Sequence, residues 1–206
     1  MSSNPKSIVN KTKEWWKLTL SDTEKLNRWL VRLYNNEKDA YDRFIEFSNQ
    51  YCQPNTESWY LFHFIAEQER RHAQTVLEVL EARKIIERGN PETSERYWGK
   101  VLPYPETSER YWGKVLPCVV DMETAAGVGA LAEQLSLERM RVIMSDPETP
   151  LDIKTMFEQI EPDESVHARS LHVLAGRYGI KEVIDCHTAG LEALGLKIAE
   201  DKVNAS

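Results

Sequence analysis

Apolar residues recur at three- and four-residue spacing along most of the chain, the period of helices that bury one face. Between Ser21 and about Ser48 the apolar side is Leu26, Trp29, Leu30, Leu33, Tyr34, Tyr41 and Phe44, with Ser21 or Asp22 placed as N-cap. Tyr51-Cys52-Gln53-Pro54-Asn55 breaks this helix, because Pro54 cannot continue it and Asn55 favours a turn. Thr56 or Ser58 then caps a second helix running to about Arg88, ahead of Gly89-Asn90-Pro91. A third spans Pro117 or Val119 to Met144 and is closed by the turn Ser145 to Pro150. A fourth runs from Leu151 to about Tyr178 and ends at Gly179, with Pro162 predicting a kink or widened turn just before Glu164. A shorter fifth helix, Lys181 to about Val203, is interrupted by Gly190 and Gly195. No segment carries a strand pattern. The expected organisation is all-α: residues 1–20 as an N-terminal extension, 21–203 as one helical bundle domain, 204–206 as a tail.

The connection between the second and third helices, residues 90–117, holds a perfect tandem repeat: Pro91 to Pro103 recurs unchanged as Pro105 to Pro117. Identity without drift marks a recent duplication, an engineered insertion or a sequence error, not a repeat architecture, which needs at least three units. Each copy carries an aromatic pair, Tyr97-Trp98 and Tyr111-Trp112, suited to a lid or docking surface. The bland alternative is a tolerated surface insertion, where added length has little effect on stability. Joining two hairpins in parallel requires a crossover of roughly 35 Å for helices of about 24 residues. One extended 14-residue copy reaches about 46 Å, so reach alone makes the other dispensable.

Composition narrows the class. The 206 residues allow one domain with a sizeable core, and 41% hydrophobic with 29% charged residues is ordinary globular usage. A net charge of −7 argues against nonspecific nucleic-acid binding. Cys52, Cys118 and Cys186 lie far apart without a C-x-x-C, which predicts neither a disulfide framework nor a thiolate zinc site and favours a reducing, cytoplasmic setting. The first 20 residues lack a signal-peptide core, and no apolar run is long enough for a membrane span.

Two Glu-x-x-His triplets, Glu69–His72 and Glu164–His167, sit on apolar helix faces. Positions i and i+3 share a face, so each triplet offers a carboxylate and an imidazole to one point. Residues at one height in a helical hairpin are equidistant from its turn. Glu37 and Glu69 centre on position 53, inside the first turn, and Glu133 and Glu164 centre between 148 and 149, inside the second. Glu123 and Glu138 fit Glu164 less well, centring near 143.5 and on 151; Glu46 with Glu69, near 57.5, is less favourable but stays open. Four carboxylates on apolar faces repel one another and are expensive to bury unless positive charge meets them. Two divalent cations balance four glutamates and two neutral histidines. Glu37, Glu69, His72, Glu133, Glu164 and His167 are therefore the expected ligands of a two-metal centre in a bundle. Oxygen and imidazole donors without thiolate suit iron or manganese.

With this E…E-x-x-H…E…E-x-x-H order on four long helices, the chain from Ser21 to Tyr178 resembles the ferritin-like diiron-carboxylate superfamily. The resemblance implies a ferritin-like four-helix bundle with a long crossover between helices two and three and an extra C-terminal helix. It implies two iron ions (manganese as the alternative), with Glu37 and Glu133 terminal, Glu69 and Glu164 bridging, and His72 and His167 as nitrogen donors. Asp163 matches a residue that accepts a hydrogen bond from a ligand histidine, whereas the first triplet has Gln68 at that place. Tyr41, one turn from Glu37, is either a hydrogen-bonding neighbour of the metals or part of the core. The run Ala125-Ala126-Gly127-Val128-Gly129-Ala130 either opens a cavity beside Glu133 or lets helices pack closely. His63, His172 and His187 lack a mirrored glutamate and are expected to be structural or exposed.

The implied activity is dioxygen activation for oxidation or oxygenation of a small, apolar organic substrate, with an electron donor as partner and a homodimer as a further possibility. One alternative is a ferroxidase or peroxide-scavenging protein related to ferritin and rubrerythrin. The other is a non-enzymatic helical interaction protein whose aromatic crossover binds a partner.

Overall fold

The computed structural model describes residues 5–85 and 107–196. Its secondary structure is helical throughout, with six α-helices and no strand among the described residues. They are α1 (Pro5–Leu20), α2 (Thr23–Tyr51), α3 (Glu57–Ala82), α4 (Thr107–Val115), α5 (Met122–Ser145) and α6 (Leu151–Ala193), with a 3-10 turn at Leu116–Cys118. The expected all-α bundle is borne out, its four long members being the hairpins α2–α3 and α5–α6.

Local chemistry sets the starts. The Asp22 side chain accepts from the backbone N–H groups of Glu24 and Lys25, and Thr56 accepts from that of Trp59. Asp121 and Thr124 form a reciprocal capping box, so α5 begins at Met122 rather than at Pro117 or Val119. The ends hold more surprises. α3 stops at Ala82, short of Arg88, because Lys84 turns left-handed at φ 57° and the Ile85 N–H reaches back to the Leu80 carbonyl at 2.9 Å.

α6 merges the expected fourth and fifth helices. It does not end at Gly179. Its break is at Gly176 (φ 57°, ψ −166°), while the backbone through Pro162 stays helical. Gly179 serves packing instead: a Cβ there would overlap the Glu123 carbonyl oxygen, and one on Gly127 would lie 2.7 Å from the Gly179 carbonyl. The small residues of α5 therefore bring its backbone against α6. None of Ala125 to Ala130 lines the cavity beside the candidate ligands. The helix finally closes at Gly195 (φ 69°), where Leu196 N–H bonds the Leu191 carbonyl.

Residues 5–20, expected as an extension, form α1, which covers one end of the bundle. Trp16 is fully buried and donates from Nε1 to Thr149 Oγ1 at 2.7 Å, with its ring edge-on to Trp29. One apolar cluster, including Trp16, Leu30, Val76, Ile153 and Phe157, fills that end. A second, including Phe44, Phe62, Ala126, Leu171 and Val183, fills the other. The candidate ligands fall between the two on every helix.

The second repeat copy is part of the fold. Tyr111 of α4 is buried, with its hydroxyl 2.8 Å from His187 Nδ1, and it lies over Gly190, where a Cβ would come within 2.6 Å of the ring. Cys118 and Cys186, expected to stay apart as free thiols, are joined in a disulfide beside this contact; Cys52 is free. The pairing follows from docking of the crossover's end on α6, which sequence spacing does not reveal. The first copy, the turn at Gly89-Asn90-Pro91 and residues 197–206 lie outside the described residues.

Candidate metal centre

Each helix of the bundle delivers its expected donors to one level. Glu37 comes from α2, Glu69 and His72 from α3, Glu133 from α5, and Glu164 and His167 from α6; all six are buried, His167 completely. They form two overlapping quartets whose ligand atoms lie within 4.8 Å of one another: Glu37, Glu69, His72 and Glu164, and Glu69, Glu133, Glu164 and His167. The two E-x-x-H glutamates belong to both. That sharing places Glu69 and Glu164 between two points, with one imidazole at each.

The histidines are oriented from behind, and crosswise. His72 Nε2 lies 3.3 Å from Asp163 Oδ2, and His167 Nε2 lies 2.9 Å from Gln68 Oε1. Each acceptor precedes the glutamate of the opposite triplet. Both are oxygen acceptors, so each Nε2 carries the proton and each Nδ1 presents its lone pair inward. Inward, His72 Nδ1 is 3.2 Å from Glu164 Oε1 and 3.8 Å from Glu37 Oε2, while His167 Nδ1 is 3.0 Å from Glu69 Oε1. Both Nδ1 atoms, with Glu69 Oε1 and Glu164 Oε2, are buried without a hydrogen-bond partner. Lone pairs meeting lone pairs in a dry site call for a cation. The residues present fit a pair of divalent ions.

The electrostatics agree. Burial, then the neighbouring Glu69, pushes Glu37 well above the ordinary carboxylate range; burial, then Glu164, does the same to Glu133, and burial, then Glu69, to Glu164. Glu69 goes the other way: burial opposes its charge, but contacts with His167 and His72 outweigh it and hold the carboxyl at about 2. Burial likewise opposes a charge on His72, yet Glu69 and Glu37 lift it to about 9. Without added cations, three of the four carboxyls are driven toward their neutral forms and a histidine takes a proton.

A cavity of about 180 Å³ opens beside the site, lined by Glu37, Glu69, Glu133 and Glu164 and walled by Tyr111, Trp112, Leu135, Arg139 and Leu194. Tyr41 is not on this wall; it packs half-buried against the apolar core. His63 stacks on Trp59, His172 is exposed and His187 is buried against Tyr111. Sequence reasoning named Tyr111 only as part of a crossover lid, and it missed Arg139, which has no periodic or mirrored partner to mark it.

The rubrerythrin family model matches residues 29–126, a span that contains Glu37, Glu69 and His72. No curated protein and no solved structure matches the chain. Over that span, just under half of the chain, it is similar to this family, whose place is in the ferritin-like diiron-carboxylate superfamily. Within that superfamily fold, Glu133, Glu164 and His167 lie beyond the matched span, on the second hairpin, at the same level as the first three. No described helix is long and apolar enough to cross a membrane.

Proposed function

We propose that Glu37, Glu69, His72, Glu133, Glu164 and His167 hold two iron ions, with manganese as the alternative, and that the protein is a dioxygen-dependent oxidoreductase acting on a small organic molecule. The observation that carries this reading is the inward, unpartnered Nδ1 of both histidines against shared, buried carboxylates. Glu69 and Glu164 each stand in both quartets and would be shared between the two ions, while Glu37 and Glu133 would each serve one. The bound metal pair supplies reduction of dioxygen with electrons from an external donor. The protein orients both imidazoles through Asp163 and Gln68, keeps the carboxylates out of water, and provides a chamber for the second reactant. The proposal treats the described helices, α1 included, as one bundle domain.

Metal content after anaerobic iron loading tests it first. About two ions per chain are expected, and fewer than one counts against the ligand set. Glu164→Ala or His167→Ala is then expected to abolish the dioxygen-dependent optical change of the loaded protein; an unchanged signal removes those residues.

The rubrerythrin match favours a second reading, peroxide scavenging or iron oxidation without an organic substrate. These 206 residues hold no pair of C-x-x-C motifs that could bind a rubredoxin-type iron. Peroxide turnover that is fast with no organic compound present would favour this reading over the first.

A further inference from the structure

One cation on the cavity wall takes no part in the ligand set. Arg139 of α5 has its guanidinium 4.7 Å over the ring of Trp15, and its Nε is buried without a hydrogen-bond partner. No carboxylate among the described residues pairs with it at ion-pair distance. Burial alone lowers its pKa, to about 10. A half-buried guanidinium whose Nε is sealed from water without a partner gains from an anion that reaches it. Trp15 occupies the flat face, and at the in-plane edge Nε has no hydrogen-bond partner, the edge that an oxygen pair would engage. With two divalent ions neutralising four glutamates, Arg139 leaves the chamber with a net positive charge.

Another part of the wall is held by its neighbours. Tyr111 is held by His187 and by the space above Gly190, and Arg43 covers the Trp112 ring at 4.0 Å. The roughly 180 Å³ between these walls is close to a cavity of about 150 Å³ that holds benzene, so it has room for about six heavy atoms. Ala132, Leu135 and Leu194 make part of the lining apolar.

We propose that the chamber binds a small monocarboxylate of about four to six heavy atoms, its carboxylate on the free edge of Arg139 and its carbon chain against Ala132, Leu135 and Leu194. This rests on the two-metal reading and gives the chemical class of the second reactant. A neutral molecule of the same size lacks the group that Arg139 requires.

Calorimetry on manganese(II)-loaded protein under argon, with butyrate and n-butanol as probes, tests the assignment. Butyrate is expected to bind at one per chain, at least tenfold tighter than butanol. Arg139→Gln is expected to weaken butyrate at least tenfold with metal content unchanged, and Arg139→Lys to retain part of the affinity. Equal binding of butyrate and butanol, or butyrate affinity in Arg139→Gln within twofold of the parent, overturns the proposal, the latter placing the carboxylate on the metals or elsewhere. Should Arg139→Gln fail to fold, Ala132→Leu shortens the apolar end; it is expected to lose butyrate at least tenfold while keeping formate, and equal losses overturn the assignment. Metal content separates the two levels. Two ions per chain without butyrate binding removes this inference alone, whereas fewer than one removes the metal reading with it.

Discussion

Glu133 serves opposed demands. Burial and the adjacent Glu164 push its carboxyl toward the neutral form in the metal-free protein, yet a divalent ion needs it charged. Glu133→Gln is therefore expected to stabilise the metal-free protein by about 1–2 kcal/mol at pH 7 and to lower metal content. The sign follows from linkage. A carboxyl whose folded pKa is raised opposes folding above its unfolded value of about 4.3, so the gain is present at neutral pH and vanishes below about pH 4. Denaturant titrations in EDTA at pH 7 and pH 3.5 read both ends; a destabilised Gln variant at pH 7 contradicts the argument. Gln68 makes a second demand visible. Its Oε1 fixes the tautomer of His167, so Gln68→Ala is expected to weaken metal binding about 10–100-fold, while Gln68→Glu keeps the acceptor and most of the affinity. Equal affinity in the Ala variant, by competition against a chelator, would remove Gln68 from the site. The position of Gln68 before Glu69 is legible in the sequence. Its partner is not, since helical period gives a residue's face but not which neighbouring helix meets it, and the contact crosses to the other triplet.

Among the elements, turns were the most readable and helix ends the least. The Cys52–Asn55 and Asp146–Pro150 turns stand where proline and capping residues predict them, and the mirrored glutamates follow from those turns. The end of α3 was hidden because Lys84 takes a left-handed conformation that glycine usually marks. In α6, two glycines three residues apart exchange roles: Gly176 bends the backbone and Gly179 admits α5. Gly179→Ala is accordingly expected to destabilise by about 3 kcal/mol or more, since the obstructing atom is backbone and cannot rotate away. A loss below about 1 kcal/mol in a denaturant titration would mean that the helices separate easily there. α4 brings a pH dependence of its own. Burial lowers His187 to about 4, below an unfolded value of about 6.5. The unfolded chain thus takes up the proton first as pH falls, and stability is lost between about pH 6.5 and pH 4. The share is on the order of 2–3 kcal/mol. Replacing His187 with Gln is expected to flatten that part of the stability–pH curve, and an unchanged slope would assign it to other groups.

At the scale of the whole molecule, an ionisable layer lies between two apolar cores, and the metal pair decides how well they are joined. Phe44, Phe62 and Leu171 pack on one side of the layer, Leu30, Val76 and Phe157 on the other, and every long helix runs through both. Without cations the layer holds suppressed carboxyls, a protonated His72 beside a charged Glu69, and four buried polar atoms without a hydrogen-bond partner, so it joins the helices poorly. With cations the same atoms bind α2, α3, α5 and α6 to two shared points. Because the ligands are scattered through the unfolded chain, binding free energy adds to folding free energy. At free metal about 100-fold above each dissociation constant, two sites contribute roughly 5 kcal/mol. For a domain of this size that raises the melting temperature by roughly 10–20 °C. Melting anaerobic, manganese(II)-loaded protein against an EDTA-treated sample measures the shift. Two bound ions per chain with a shift of only a degree or two would place the metal on surface carboxylates and not in the layer between the cores. Glu69→Ala supplies the matching control: it removes a donor from both quartets, so its melting temperature is expected to respond little to metal, whereas loss of Glu37 is expected to leave one quartet and about half of the rise.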